Sequence, residues 1–546
     1  MMIKKYISVC AVLAVFTIPL FSQAADSQDS DSQIELPDLT TVVSGGQDSD
    51  DFAPPPAFDD VLDIPYDSGD LVPVLPDVSS GDESNVVAAG GQTTQKDIYA
   101  QGEIGGGYPA SFTGNFEIAR LYGADPFKIS FNHNSAAGFA SHNLADCYKE
   151  GVTSIALEKD FIRKNIKWGL SGLYEDRGNG LQSKVESISA YNQDSVGLGG
   201  SLLWNLPKDF YLGFNVDSLF YFRFSDFTKI AAPGAEVPGW IKNTSRVTVD
   251  PEFNIGWNHN GFDISFDAAY NLEAWKEASN RGQLDLNFSW QNDKIKLFAD
   301  AGLVFGNKIG DNTVIVPFEV GLEALLPVYF SDRKLNLALS GGLESNRQTT
   351  NELEKMYKFT GMQDLTSETT DWFGKLNLLV PLKSSFTGNI SAGYRQTAFS
   401  NGCWTPDFSA DKLTCGLYGF SVKNRFELFT DFSFTWKYKL FAATAKYHAN
   451  WIDIPVLENK HTVSVCFALQ SQKGLWGASL DTAYLLDAAD NKPVINLEAY
   501  VQASSAVRIV LSVNDMLKLL GAEERHYAGQ YAANSGKAML LVNFLF

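Results

Sequence analysis

The chain ends in K-A-M-L-L-V-N-F-L-F, residues 537–546. Every second residue from Ala538 to Phe546 is apolar, whereas the intervening positions include Lys537 and Asn543. A period of two residues is typical of a β-strand, because successive side chains point to opposite faces of a sheet. A strand with one wholly apolar face needs an apolar neighbour, which either a protein core or a lipid bilayer can provide.

This stretch resembles the terminal strand of Gram-negative outer-membrane β-barrels, which closes on a phenylalanine. In those proteins the last Phe and the alternate apolar residues form the assembly signal. The resemblance assigns that role here to Leu540, Val542, Phe544 and Phe546. An ordinary strand of a soluble β-sandwich is the alternative, so the rest of the chain has to decide between the two.

The composition favours many strands. The 546 residues include 45 Gly, 38 Phe, 21 Tyr and 11 Trp, and only 20% are charged, which is typical of strands joined by turns and flanked by aromatic girdles. No run of about 18 apolar residues follows the N-terminal segment, so no transmembrane helix is predicted. Since a bilayer accepts only helices or closed barrels, a membrane protein with this sequence is expected to be a barrel.

The N-terminal residues 1–24 read as a secretory signal peptide. Lys4 and Lys5 precede a largely apolar stretch at 6–21, and small residues occupy the −3 and −1 positions before Ala25. Export would take the chain to an oxidising compartment.

Residues 25–96 form an Asp-, Ser- and Pro-rich segment that is predicted to be a disordered periplasmic tail. Residues 25–95 contain 16 Asp or Glu and no Lys or Arg. The net charge of the whole chain is −21, and most of it belongs to this tail. Such acidity argues against a nucleic-acid partner.

One β-prone patch interrupts this tail at residues 34–44, I-E-L-P-D-L-T-T-V-V-S. It would suit a docking strand for the sheet edge of another protein. It also resembles the TonB box of outer-membrane transporters, which implies a TonB-like periplasmic partner. The residues of this predicted docking strand are Leu39, Thr40, Thr41, Val42 and Val43. An apolar patch without function in a spacer is the alternative.

From residue 97 onward the sequence alternates between apolar and polar residues. In Phe210–Phe224 one face is aromatic and aliphatic, and the other carries Asp217 and Arg223. In an outer-membrane barrel the apolar face meets lipid and the polar face a wet lumen. We predict 22 strands, with 20 to 24 compatible with the pattern, at 97–107, 111–121, 125–134, 151–161, 165–177, 195–206, 210–224, 245–258, 261–272, 280–291, 294–306, 311–327, 334–347, 371–382, 385–398, 415–437, 440–451, 459–470, 475–486, 493–502, 506–514 and 537–546.

The connections between these segments alternate in length. Short turns such as 206–209 and 471–474 alternate with long loops such as 225–244, 348–370 and 515–536, the rhythm of outer-membrane barrels. An even strand count places both ends of the barrel on the short-turn, periplasmic side. The predicted fold is therefore all-β, a large antiparallel transmembrane β-barrel at 97–546 preceded by a disordered acidic tail.

A barrel of 22 strands has the size of TonB-dependent transporters. The last hairpin resembles theirs, with a strand that ends at Asn514, a loop that holds Tyr527 and Tyr531, and a Gly536-Lys537 entry to the final strand. Met516-Leu517 and Lys537 depart from the family pattern.

The resemblance covers residues 97–546 and does not include an N-terminal plug domain. Such a domain needs roughly 100–150 residues, which is more than the tail at 25–96 provides. Three arrangements are then compatible with the sequence. The lumen is an open pore, or it is filled by a separate plug protein or by the chain's own tail and loops. Alternatively, the barrel serves only as a membrane anchor for its loops.

Few residues point to specific chemistry. Cys403 and Cys415 bracket one loop, and a disulfide between them and free thiols are both compatible with the spacing. His133, His142 and Cys147 lie in or beside another loop, but their spacing matches no zinc pattern. No catalytic motif is present, so we expect no enzymatic activity and no cofactor. Lumen-side charges would set pore selectivity or cross-link the inner wall; they are Asp217, Arg223, Lys423, Arg425, Glu427 and Asp431.

The sequence thus leads to two hypotheses. The first is solute transport or pore formation by a TonB-receptor-like barrel in the outer membrane, with lipid, the barrel-assembly machinery, and a separate plug or TonB-like protein as partners. The second is a structural or interaction barrel that displays its loops, chiefly 225–244, 348–370 and 515–536, without transport.

Overall fold

The computed structural model describes residues 98–545, except 122, 124, 140–141, 143–145, 186, 228–236, 275–276, 308–313, 329–330, 363–367, 384, 400–401, 487–491 and 523. The predicted signal peptide, the acidic tail with its docking strand at Leu39–Val43, and Phe546 lie outside these residues. No helix among the described residues is long and apolar enough to span a membrane.

The main sheet is antiparallel and holds 22 long strands together with the two-residue strand Val314–Ile315. The long strands, β1 to β22 in chain order, are Tyr99–Tyr108, Ser111–Arg120, Phe127–Ala137, Lys149–Arg163, Ile166–Gly180, Ile188–Asn205, Phe210–Phe227, Asn243–His259, Phe262–Ala274, Ala278–Gln291, Ile295–Gly306, Phe318–Val328, Ser331–Arg347, Glu368–Lys383, Phe386–Thr397, Phe426–Tyr438, Phe441–Asn450, His461–Gln470, Trp476–Leu486, Val494–Ser504, Val507–Asn514 and Lys537–Leu545.

The first and last strands pair and close the sheet into a barrel. Their register runs from Gln101 opposite Leu545 to Tyr108 opposite Ala538. The outward face of β22 is apolar, as its period-two pattern predicts, and Leu540 is 56% exposed on it. At the seam the rings of Phe544 and Phe116 lie 5.7 Å apart. The predicted fold class is therefore confirmed, including the count of 22 strands.

The two ends of the barrel differ in their connections. At one end, the short-turn end, the strands are joined by links such as 164–165, 260–261 and 439–440, and both chain termini of the barrel lie there. At the other, the long-loop end, the connections include 348–367 and 515–536. The described residues of these loops include three short α-helices, α1 at Gly239–Lys242, α2 at Thr350–Met356 and α3 at Met516–Leu519, and a 3-10 helix at Ala410–Lys412.

The outer surface carries an apolar band bounded by aromatic rings. Six of the 11 tryptophans lie on outward positions within a few residues of a short turn, as expected for a girdle at a membrane interface. These tryptophans are Trp168, Trp204, Trp257, Trp290, Trp436 and Trp476. Tyr270 on β9 also points outward and is 44% exposed.

Two predicted strands are interrupted in the structure. The prediction 311–327 divides into Val314–Ile315 and β12, because Pro317 lies between them and has no N–H for the ladder. The prediction 415–437 is wrong before Phe426, where β16 begins. Cys415 and Gly416 adopt left-handed φ values of 47° and 88°, which turn the chain into a small hairpin inside the loop.

The alternation of faces along β13 yields a test of the barrel. Leu339 lies at the centre of this 17-residue strand and is 52% exposed toward lipid, whereas the next residue, Ser340, faces the lumen. We expect Leu339→Arg to destabilise the folded barrel by about 2–4 kcal/mol, since it places a charge in hydrocarbon. Ser340→Arg is the matched control and is expected to cost far less. Urea unfolding in lipid vesicles measures both, and equal losses would contradict the assigned faces.

Candidate functional site: the loop cap and the lumen

Segments from five long loops fold together at the long-loop end. We call them the loop cap, which comprises the described residues of 181–187, 237–242, 348–362, 402–425 and 515–536. Their apolar side chains form a buried cluster with two residues of β6, Ile188 and Tyr191. The cluster members from the loops are Leu181, Val237, Ile241, Phe359, Leu417, Tyr418 and Tyr531. Because loops far apart in sequence share this core, they pack as one unit rather than as separate surface loops.

Phe359 lies at the centre of the cap and is fully buried. Its ring stacks on Tyr531 with centroids 3.9 Å apart and meets Tyr191 and Tyr527 edge-on. Its backbone N–H donates to the Tyr191 hydroxyl at 2.7 Å. Such aromatic contacts contribute about 0.5–1.5 kcal/mol each beyond burial of area. Phe359 therefore joins the 348–362 loop to the wall and to the last loop of the chain.

Helix α2 begins at a capping box. The Thr349 hydroxyl accepts from the Glu352 N–H, and the Glu352 carboxylate accepts from the Thr349 N–H, which satisfies two of the free N–H groups at the start of a helix. Leu353 and Glu354, which follow, are buried. The helix thus turns one carboxylate, Glu352, to its exposed side and another, Glu354, toward the barrel wall.

Glu354 makes the most enclosed ionic contact of the cap. Arg223 Nε donates to its Oε2 at 2.8 Å, and both side chains are 0% exposed. The Tyr221 hydroxyl donates to the same oxygen, and the Met362 N–H donates to Oε1 at 2.7 Å. Arg223 Nη2 also donates to the Trp240 carbonyl oxygen at 2.9 Å. A buried charge pair is tolerated only with such additional hydrogen bonds, so this geometry fixes α2 against β7.

Further ion pairs continue around the inner wall near the cap. Lys355 lies 2.9 Å from Glu175, and Lys358 lies 3.0 Å from Glu150, so that α2 and the residues after it also bind β4 and β5. The wall strands themselves are joined by the pairs Arg246–Glu273, Arg281–Glu368 and Arg395–Glu344. Arg425 of the loop cap pairs with Asp371 of the wall. The β13–β14 loop therefore crosses the barrel mouth and is held by charges on the far wall.

The last long loop is held in a second way. The Gln182 side chain donates to the Ala532 carbonyl oxygen at 3.0 Å and accepts from the Ala532 N–H at 2.8 Å. The Lys358 N–H donates to the Tyr527 hydroxyl at 3.0 Å. Burial raises the pKa of Tyr527 to about 12, so this phenol stays neutral at physiological pH and can accept that bond.

Three of the six predicted lumen charges, Arg223, Arg425 and Asp431, take part in ion pairs. Arg223 and Arg425 are paired as described above, and Asp431 accepts from His448 at 2.6 Å. Lys423 is not a wall charge, because it lies on the short loop strand Phe420–Lys423, and Asp217 lies opposite another carboxylate, Asp250. Of the two interpretations, cross-linking describes the outer part of the wall better than pore selectivity does.

Cys403 and Cys415 belong to the loop cap, and Cys415 packs against its apolar cluster. Cys403 and Cys415 are free thiols in the structure, so their disulfide stays a prediction. Burial raises the pKa of the Cys403 thiol, which slows its oxidation because the thiolate is the reactive form. His133 contacts Thr153, and His142 stacks on Tyr148. The described residues include no group of three or more His, Cys, Asp or Glu placed to hold a metal ion.

A belt of carboxylates lines the lumen between β7 and β12. Three cross-strand pairs oppose like charges directly: Asp217 with Asp250, Asp267 with Asp285, and Asp300 with Glu319. Like charges at such positions are destabilising. Side-chain amides offset part of this cost, because Asn215, Asn271 and Gln283 donate to Asp217, Asp250 and Asp285 respectively. This half of the lumen wall is therefore acidic.

The lumen wall next to this belt borders a cavity of about 880 Å³. Inward side chains of β11 to β19 line it, and Glu458 and Asn459 from the 451–460 loop cover it. This volume lies within the range of about 300–1,000 Å³ that small-molecule sites occupy. The residues that line the cavity belong to the wall and to the 451–460 loop, and the loop cap does not fill this part of the lumen.

No local pattern in the sequence predicts the cap. Glu354 and Phe359 lie in a loop without periodicity, and Glu354 is 131 residues from its partner Arg223. The capping box T-x-x-E at Thr349 to Glu352 was a readable helix signal inside a long loop. It would have located α2 but not the wall that α2 contacts.

The Arg223–Glu354 pair gives a test of the cap. Glu354→Ala leaves Arg223 as an uncompensated buried charge, which costs about 3–5 kcal/mol, so the cap opens more often. Trypsin cleavage after Lys355 and Lys358 in proteoliposomes should accelerate by about a hundredfold or more, since cleavage follows the open population.

The matched control is Glu352→Ala in the same helix. It removes an exposed capping contact worth about 1 kcal/mol and should raise cleavage only severalfold. If both variants were cleaved at the rate of the unaltered chain, the buried pair would not hold the cap.

Comparison with known structures connects this architecture to transport proteins. No protein-family model matches the sequence, and no curated protein matches it either. The FrpB iron transporter from Neisseria meningitidis aligns with a TM-score of 0.61 at 10% identity, over 83% of this chain and 82% of that chain. The siderophore receptor PirA from Acinetobacter baumannii gives 0.58 at 8% identity, over 82% and 80%.

The copper transporter OprC aligns with a TM-score of 0.61 at 10% identity, over 82% of this chain and 81% of that chain. At such low identity the likeness concerns the fold. The resemblance to the barrels of TonB-dependent transporters, expected from the strand count and the last hairpin, is thereby confirmed: the chain has the closed 22-strand barrel fold of these transporters.

Proposed function

We propose that the protein is an outer-membrane transport barrel of TonB-receptor-like type. Its long-loop end faces the outside and is closed by the loop cap, and its short-turn end faces the periplasm. Lipid surrounds the apolar band, and the barrel-assembly machinery recognises the terminal strand at Leu540, Val542 and Phe544. The solute enters when the cap moves away from the wall.

The observation that carries this proposal is the attachment of the cap by charges. A barrel whose role was to display its loops would keep them outside, whereas here Phe359 and Glu354 are buried against the opposite wall. Ion pairs can be exchanged for water, so a charged interface is suited to opening. Beneath it lies the cavity of about 880 Å³. The loops therefore take the position of a gate.

The acidic tail is proposed to act on the periplasmic side. Its 16 acidic residues would be repelled by the carboxylate belt of the lumen, which works against the tail as a plug of that half. The predicted docking strand at Leu39–Val43 would instead pair with a TonB-like protein, which supplies the work that opens the cap. A separate plug protein is compatible with the same scheme.

Removal of the cap segment tests the gate. Replacement of residues 350–362 by a short Gly-Ser linker should change the barrel from closed to steadily conducting in planar bilayers, because the helix that crosses the mouth is gone. The full chain should show only rare openings. Steady conductance of the full chain, or none after the replacement, would contradict a loop gate.

Deletion of residues 34–44 tests whether the docking strand is needed for the work that opens the cap. Uptake by cells should be lost, while the barrel still resists denaturation by detergent as the unaltered chain does. A deletion of equal length at residues 70–80 is the control, since it shortens the tail without touching the patch. Unchanged uptake after the first deletion would exclude the docking strand as the site of energy input.

A further inference from the structure

The cavity wall is built from two neighbouring rows of inward side chains. The first row crosses the strands as Phe298 on β11, Gly321, Ser340, Lys375, Gly393 and Phe429 on β16, each opposite the next in register. The second row crosses β12 to β19 as Glu323, Ala338, Asn377, Ser391, Asp431, His448, Thr462 and Leu485. All non-glycine members of both rows line the cavity.

Two phenyl rings lie flat along the first row. A Cβ atom on Gly321 would come within 2.0 Å of the Phe298 ring, and one on Gly393 within 1.9 Å of the Phe429 ring. Each ring therefore covers a glycine of the neighbouring strand. Ser340 and Lys375 lie between these two covered glycines. The wall thus presents a polar centre with an apolar platform on each side.

Among the described residues around this centre, one cationic side chain has no carboxylate partner. Asp431 accepts from Ser391 and His448, and His448 also lies 3.5 Å from Glu458. Glu323 is paired with Lys296 at 3.2 Å. The carboxylates of the cavity are therefore occupied by the wall's own donors.

Lys375 differs from these groups. Its ammonium lies 5.3 Å from the centre of the Phe373 ring, and among the described residues it has no carboxylate partner within ion-pair distance. Its side chain is exposed to the cavity, as is that of Asn377 two residues on. An ammonium beside a ring and without a counter-ion is suited to accept an anion from outside.

We propose that this cavity binds a small organic anion with an apolar body, such as an aryl-substituted carboxylate. The carboxylate would take hydrogen bonds from the Lys375 ammonium, the Ser340 hydroxyl and the Asn377 amide. The apolar body would lie against the Phe298 or the Phe429 ring. The inference rests on the proposed transport function, since it names the class of solute that the lumen accommodates.

Isothermal titration of the full-length barrel in non-ionic detergent tests the site, with 3-phenylpropanoate as the probe. We expect Lys375→Met to weaken binding at least about tenfold, because a charge-assisted contact is lost. Lys375→Arg should keep most of the affinity. Lys167→Met is the matched control, since it removes one positive charge at the short-turn end, where Lys167 pairs with Asp160.

The neutral analogue 3-phenylpropanamide separates charge recognition from apolar contact and should bind at least about tenfold more weakly than the carboxylate. Equal binding of the acid and the amide, equal affinity of Lys375→Met and the unaltered chain, or no binding up to about 10 mM would overturn the proposal. Resistance to detergent denaturation shows that each variant is folded. The conductance of the cap replacement does not depend on Lys375, so failure of the anion site leaves the gate testable.

Discussion

The position of the loop cap depends on one buried contact, the ion pair between Arg223 on the wall and Glu354 on α2. Neither side chain touches solvent, so neither charge is stable without the other. Tyr221, Met362 and Trp240 add further hydrogen bonds to the pair. Because Glu354 belongs to a loop that begins on β13, the pair fixes a segment that crosses the whole mouth.

The rest of the long-loop end follows from that anchor. Once α2 is held, Phe359 stacks on Tyr531 and brings the last loop onto the 348–362 loop. The small hairpin at Cys415 and Gly416 joins through the hydrogen bond from Tyr531 to the Gly416 carbonyl oxygen. The aromatic cluster and the ion pairs between α2 and the wall thus hold the loops across the mouth. Inside the barrel lie an acidic stretch of wall and a cavity in which, among the described residues, Lys375 is the cation without a carboxylate partner.

The sequence predicts the barrel well because its signal is local. Lipid on one side and water on the other impose a period of two on every strand. The alternation in Phe210–Phe224 and in the last ten residues therefore predicts which side chains face outward and which face the lumen. The residues of the loop cap show no such local pattern. Glu354 and Arg223 meet only after the chain has passed through six strands, and turn chemistry at Cys415 ended a strand that the apolar pattern had extended.

Hydrogen–deuterium exchange of the full-length barrel in lipid bilayers tests the central claim most directly. If the mouth is closed by its own loops, the amides of residues 350–362 exchange slowly, with protection close to that of β7, and Glu354→Ala makes them exchange fast. If these amides exchange in the unaltered chain as fast as those of an exposed loop, the cap is not folded into the barrel and the loops do not act as its gate.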